Sequence, residues 1–237
     1  MRPVAIFRFS PGDEPGRFAQ WLDAHAIPWR LFALHADERV PDDPREFSGI
    51  GMMGGPMSVN DELAWTASMQ RLVRDAVEHR VPVIGHCLGG QLMAKALGAS
   101  VGRARTTEIG WIDVEVVDAP AAREWFGERQ RFTTFEWHYE AFTLPPGAVR
   151  VLGNAFNENQ AYVVDGRHIG FQGHPEMTAE IARTWIALSS DELPSRSTTS
   201  MQTAGEILAD LETKVAALNA VADDVYARWA SNLRSAA

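Results

Sequence analysis

Cys87 is the only cysteine among 237 residues, and its neighbours suit a nucleophile. The segment Val83-Ile84-Gly85-His86-Cys87-Leu88-Gly89-Gly90-Gln91 passes from a β-branched apolar run into a helix-forming one. Gly85-x-Cys87-x-Gly89 has the form of a nucleophile elbow, a strand-to-helix turn too tight for a Cβ at the flanking positions. Such a turn aims the sulfur at a helix N-terminus, whose partial positive charge favours thiolate over thiol. A lone buried cysteine is more often a small hydrophobe. The glycines argue otherwise, because Gly89 and Gly90 each cost a helix about 1 kcal/mol. That cost makes sense where backbone must approach a ligand.

A nucleophile of this kind needs a base, and Gly173-His174-Pro175-Glu176 offers one. In extended chain His174 and Glu176 project to the same side, and Pro175 disfavours helix between them. A carboxylate beside an imidazole fixes its tautomer and stabilises the imidazolium formed on proton uptake. Cys87, His174 and Glu176 therefore read as nucleophile, base and orienting acid. Without Cys87 the same residues would read as a turn with a surface carboxylate. A third element, Met52-Met53-Gly54-Gly55-Pro56, follows an apolar run. Acyl transfer from an amide needs two N–H donors at the developing oxyanion; Leu88 can supply one and Gly55 the other. Read alone, the glycine pair is equally an ordinary loop before a helix.

The elements that must position these groups follow from periodicity. Val4 to Phe9, Trp29 to Ala33, Gly49 to Met53 and Val81 to Ile84 read as strands, with Phe18, Trp21, Leu22 and Ala26 at helical spacing between the first two. Asn60 or Asp61 is expected to cap a helix carrying Leu63, Met69, Leu72, Val73 and Ala76, and Leu88 to Leu97 forms the helix behind the elbow. Shorter runs at Ile112–Val117, Arg131–Phe135, Val149–Leu152, Ala161–Val164 and His168–Phe171 lie between turn signals and read as antiparallel or mixed strands. The fold class is α/β: a three-layer, mainly parallel open sheet with helices on both faces, a smaller antiparallel portion and a C-terminal helix. Residues 189–203 are rich in Ser and Thr and read as a linker. Beyond it Leu208, Leu211, Val215, Leu218, Ala222, Val225 and Trp229 mark one amphipathic helix, packed on its own domain or forming a homodimer surface.

Composition narrows the function classes. Hydrophobic residues make up 46% and charged residues 22%, as in a globular chain. A net charge of −9 without a long basic run argues against nucleic acid as a partner. One cysteine rules out an internal disulfide framework and a thiolate-rich metal site; neither metal nor cofactor is expected. The apolar N-terminal run is too short for a signal peptide and is broken by Arg8. No stretch approaches the roughly 20 apolar residues of a membrane helix, so no membrane association and a cytoplasmic location are expected.

Gly54-Gly55-Pro56, Gly85-His86-Cys87-Leu88-Gly89-Gly90-Gln91 and His174-Pro175-Glu176, in this order and at these separations, resemble the class I glutamine amidotransferase family. The resemblance spans residues 1–188 and is greatest to stand-alone members similar to the glutaminase domain of GMP synthetase. It implies that Cys87 attacks the side-chain amide of glutamine, that His174 is the general acid/base with Glu176 its partner, and that the N–H groups of Gly55 and Leu88 form the oxyanion hole. It also implies that Gln91 contacts the amino-acid end of the substrate. In Glu136-Trp137-His138-Tyr139-Glu140 it places a substrate segment, with Trp137, His138 and Tyr139 at the pocket. Tyr139 stands where many members carry glycine. Glu108 matches a position suited to a structural hydrogen bond. The tail from Ser189 is too short for a synthetase domain, and no Gly-x-x-x-x-Gly-Lys loop for ATP is present. Either a separate synthetase chain receives the ammonia, or the protein is a self-sufficient γ-glutamyl peptidase acting on γ-glutamyl peptides or amides. The non-enzymatic alternative is a scaffold in which Cys87 senses oxidants.

Overall fold

The computed structural model describes residues 1–233. Its elements, in chain order, are β1 (Val4–Arg8), α1 (Gly16–Ala24), β2 (Trp29–Ala33), β3 (Gly49–Met52), α2 (Thr66–Glu78), β4 (Val83–Gly85), α3 (Leu88–Ala96), β5 (Val101–Val116), α4 (Pro120–Phe126), β6 (Arg131–Phe142), β7 (Val149–Gly153), β8 (Ala161–Val164), β9 (His168–Phe171), α5 (Ala179–Leu188), α6 (Ala204–Leu208) and α7 (Leu211–Ala230). The strands form one sheet in the order β2-β1-β3-β4-β9-β8-β7-β5-β6. β2, β1, β3, β4 and β9 run parallel, and β8, β7, β5 and β6 continue antiparallel.

Side-chain alternation on β1 builds the layers. Ala5 and Phe7 turn to one face and pack with α2 and α3 through Met69, Leu72, Leu92 and Met93. Val4 and Ile6 turn to the other, against Phe18 and Leu22 of α1, Trp125 of α4, and Tyr226 and Trp229 of α7. A third cluster joins Ile109 and Phe135 of the long antiparallel pair to Ile181, Ile207 and Leu218. The parallel strands read as continuous apolar runs because both their faces are covered.

Several boundaries differ from the sequence expectation. Asp61 caps no helix: its carboxylate accepts the Ser58 N–H at 3.0 Å, α2 starts only at Thr66, and Leu63 stays exposed ahead of it. α1 ends at Ala24, and Ala26 turns the chain with φ +53°. β5 and β6 are far longer than the apolar runs within them, extending through polar residues that a neighbouring strand satisfies. The tail helix is two helices. Its apolar rhythm crosses a break at Ala209 and Asp210, where Asp210 adopts φ +51°. Within residues 189–203 the backbone joins the sheet edge: Ile109 N–H donates to Ser200 O, and Gln202 N–H donates to Ile109 O, both at 2.9 Å. The Arg17 guanidinium binds the Asp223 carboxylate through two hydrogen bonds of 2.8 and 2.5 Å, tying α1 to α7. Helices α4 and α5 were not among the sequence expectations, although Pro120 opens α4 and the Thr178 hydroxyl caps α5 by accepting the Ile181 N–H at 3.2 Å. Among the described residues, no helix is long and apolar enough to cross a membrane.

Candidate active site

Four adjacent parallel strands, β1, β3, β4 and β9, deliver four loops to one edge of the sheet. Ligands of open α/β sheets bind at the carboxyl ends of the strands, and the three motifs read from sequence all lie there. Cys87 links β4 to α3 with φ +47° and ψ −107°. A non-glycine residue held at positive φ stores strain that surrounding structure must impose. The imposition comes from its glycines. A Cβ on Gly85 would lie 2.5 Å from Gly89 backbone, one on Gly89 2.5 Å from Met52 O, and one on Gly90 2.2 Å from Phe171 O. The close approach expected to serve a ligand is thus made to β3 and β9. It seats the N-terminal turn of α3 directly on the sheet and so fixes the sulfur.

His174 and Glu176 stand on the loop after β9. They do not lie in extended chain as expected: Met177 N–H donates to His174 O at 3.1 Å, closing a turn. The turn still brings the side chains together, with His174 Nδ1 2.8 Å from Glu176 Oε1. Both residues are buried, at 2% and 3% exposure, so Glu176 is no surface carboxylate. Burial alone would lower the imidazole pKa; Glu176 and then Cys87 outweigh it and hold His174 well above its ordinary value. Burial would likewise raise Glu176, but the His86 and His174 rings keep its carboxyl below the usual carboxylate range. Nε2 of His174 has no hydrogen-bond partner, and the ring shares a cavity of about 670 Å³ with Cys87. The Trp185 ring meets the imidazole edge-on at 4.7 Å and 83°, while its Nε1–H donates to Gly12 O at 2.8 Å.

The loop after β3 brings Gly54 and Gly55 alongside. A Cβ on Gly54 would lie 2.9 Å from His174 Cε1, and one on Gly55 2.7 Å from Leu88 Cδ2. Leu88 begins α3, so its N–H has no acceptor within the helix. The loop after β1 adds Asp13, 8% exposed, which accepts a hydrogen bond from the Ser10 hydroxyl. Burial pushes the Asp13 carboxyl up, opposed by Ser10 and by His174.

The opposite wall comes from β6. Glu136 to Glu140 lies inside this strand, paired to β5, and not in a connection between strands. Trp137, His138 and Tyr139 all line the cavity. His138 is committed to protein partners on both ring nitrogens, with Nδ1 3.1 Å from Glu140 O and Nε2 3.1 Å from Glu108 Oε2. Glu108 is a hydrogen-bond hub, accepting also from Asn154, Asn157 and Gln160 at 2.5, 2.6 and 2.7 Å. Burial would raise its pKa, but His138 and the amides bring it below its ordinary value. Gln91 lines the cavity too, with its amide NH₂ donating to Glu140 O at 3.0 Å. Trp137 Nε1–H and the Tyr139 hydroxyl both donate to Glu192 Oε2, at 3.0 and 2.8 Å.

Residues 28–187 match the family model described as glutamine amidotransferase class-I. This chain belongs to that family. A glutamine amido transferase from Methylobacillus flagellatus has a solved structure that is 44% identical, covering 100% of this chain and 97% of that one with a TM-score of 0.97. The GMP synthase (glutamine-hydrolyzing) of Aeropyrum pernix is 33% identical over 60% of this chain but only 27% of its own length, so the chain spans about a quarter of that relative. Gamma-glutamyl peptidase 2 of Arabidopsis thaliana is 25% identical over 76% of this chain and 78% of its own length.

Three residues of this class I member were missed in the sequence. Asp13 follows β1, and its only signal was position at the carboxyl end of an inner strand. Trp185 and Glu192 reach the site from α5 and the segment after it, and no local pattern ties them to Cys87.

Proposed function

We propose that this chain is a hydrolase of the glutamine amidotransferase type that releases ammonia from glutamine. Cys87 Sγ attacks the side-chain carbonyl carbon; an S–C bond forms, and the N–H groups of Gly55 and Leu88 hold the developing oxyanion. The C–N bond breaks as His174 delivers its proton to the leaving nitrogen. Water then gives a proton to His174 and attacks the γ-glutamyl thioester, releasing glutamate and the thiolate. Glu176 orients the imidazole and stabilises its charged form. One observation carries this reading: a buried imidazole paired through Nδ1 with the Glu176 carboxylate, its Nε2 open to the cavity that holds the only thiol of the chain.

The test is ammonia release together with covalent labelling by a diazoketone analogue of glutamine. Cys87→Ala should lose both, and undiminished labelling of that variant would remove Cys87 from the mechanism. A free nucleophilic thiol is kept reduced in the cytoplasm, the compartment this reading assigns. The ammonia acceptor, on this reading, is a separate synthetase chain.

The second reading, a γ-glutamyl peptidase or amide hydrolase, is favoured by one specific feature. A volume of about 670 Å³ falls among those of drug-sized ligand sites, roughly 300–1,000 Å³, and glutamine alone leaves much of it unfilled. The chemistry is identical and only the leaving amine differs. Comparing kcat/KM for glutamine and γ-glutamyl peptides separates the two, with a glutamine preference under about tenfold favouring the peptidase. A purely redox-sensing Cys87 has no use for a paired general acid.

A further inference from the structure

The part of the cavity away from the reacting sulfur has a chemistry of its own. Glu140 and Glu192 line it, and among the described residues no arginine or lysine does. Arg8 pairs with Glu14, and Lys95 donates to Val59 O and Asn60 Oδ1 at 2.9 and 2.7 Å. Both Trp137 Nε1–H and the Tyr139 hydroxyl converge on Glu192 Oε2. That carboxylate is therefore held in place at an otherwise exposed position, with Oε1 left over. Burial and Glu192 push the Tyr139 phenol pKa up, so it remains a donor. Tyr139 and Leu188 are 45% and 70% exposed and mark the mouth. Deeper in, the unpartnered Nε2 of His174 marks the reacting end. A carboxylate fixed by two aromatic donors, with one oxygen left over, is an arrangement that binds an organic cation by ion pairing. An anionic group here meets like charge and no counter-ion.

We infer that the substrate is a γ-glutamyl amide whose leaving amine carries a second, cationic amino group, with Glu192, held by Trp137 and Tyr139, receiving that cation. This deepens the second reading, a γ-glutamyl amide hydrolase, and rests on Cys87 being acylated by a γ-glutamyl group. The reaction balances as hydrolysis: the amide and one water give glutamate and the free diamine, with His174 shuttling the proton.

The experiment compares kcat/KM of the full chain on three amides sharing one glutamyl half: those of 1,4-diaminobutane, butylamine and 4-aminobutyrate. The common half cancels, and the far end of the leaving group alone varies from cation to neutral to anion. The diamine amide should exceed the butylamide by about three- to fivefold, the effect of one partly exposed ion pair, and the aminobutyrate amide should be the poorest. Glu192→Gln keeps an acceptor for Trp137 and Tyr139, and it should lower the rate on the diamine amide several-fold more than on the butylamide. Equal or better turnover of the neutral or anionic amide would overturn the inference while leaving the Cys87 chemistry standing. Absence of any acyl-enzyme by intact mass, with glutamine and with all three amides, would overturn both.

Discussion

The floor and the rim of this cavity are built in different ways. Cys87, His174 and Gly55 each sit directly after a parallel strand, and β3, β4 and β9 are immediate neighbours. Three short motifs thereby converge through sheet order alone, and close glycine packing against the sheet fixes the nucleophile. The rim is assembled from distant parts: Trp137 and Tyr139 on β6, Trp185 on α5, and Glu192 beyond it. On the proposed function, the floor serves the chemistry common to all γ-glutamyl substrates and the rim chooses among them.

That division makes the floor the place of largest effect. Cys87→Ala should reduce turnover by about a millionfold, the scale on which losing a nucleophile acts, and equally for every substrate. A residual rate that differed between glutamine and a bulkier amide would break the division at its base. Glu176→Gln comes next. The amide holds the ring less well and does not stabilise imidazolium, so kcat should fall about a thousandfold or more. The same variant should lose the elevated His174 pKa, moving the acidic-side behaviour of His174 by NMR toward that of an ordinary imidazole. An unmoved His174 titration would mean that Glu176 only packs.

The same division governs how far the sequence could be read. The floor was legible because its chemistry is encoded in runs of a few residues: Gly85 to Gln91, His174 to Glu176, and Gly54 to Pro56. The inner strands were legible because burial on both faces makes them continuous apolar runs, and Ala161–Val164 and His168–Phe171 have the bounds that the sequence implies, as does the partly buried edge strand Trp29–Ala33. What failed was whatever depends on a partner far along the chain. β5 runs on past a register shift between Arg103 and Glu108, where Asn157 donates to Thr106 O and Glu108 accepts from Asn154 and Asn157. Asp61 looked like a helix cap until Ser58 N–H claimed it. The tail carried an unbroken apolar rhythm, yet Asp210 breaks it at a left-handed turn that periodicity does not register. Glu192 joined the site through Trp137 and Tyr139, more than fifty positions earlier.

Trp185 bridges the two regions, since its ring backs His174 and its Nε1–H holds the Asp13 loop. Trp185→Phe retains an aromatic edge and loses the hydrogen bond to Gly12. A displacement of the imidazole by a fraction of an ångström should lower kcat by roughly ten- to hundredfold, with a smaller change in KM. A change confined to KM would place Trp185 with the rim and not with the floor.

The smallest effect should come from Glu136, which lies behind both regions. It is fully buried, neither carboxyl oxygen has a hydrogen-bond partner, and His138 Nε2 is 3.5 Å away. Burial first, and then the nearby Glu108, push its pKa well above the ordinary 4.5. The sign of the stability effect follows. Below about 4.5 the group is protonated in folded and unfolded chains alike, and its full contribution is present. As pH rises the unfolded chain releases the proton while the folded chain keeps it, so the unfolded state gains and this group's contribution declines until the folded carboxyl ionises. Glu136→Gln has no proton to retain. Its Tm relative to the parent should therefore climb between pH 4 and pH 8, whatever the offset at the acidic end. A difference in Tm that stays level or shrinks across that range would mean that Glu136 is ionised in the folded protein. The two carboxylates at His138 would then both be charged, and the wall behind the nucleophile would carry a negative field that the floor's imidazolium must offset.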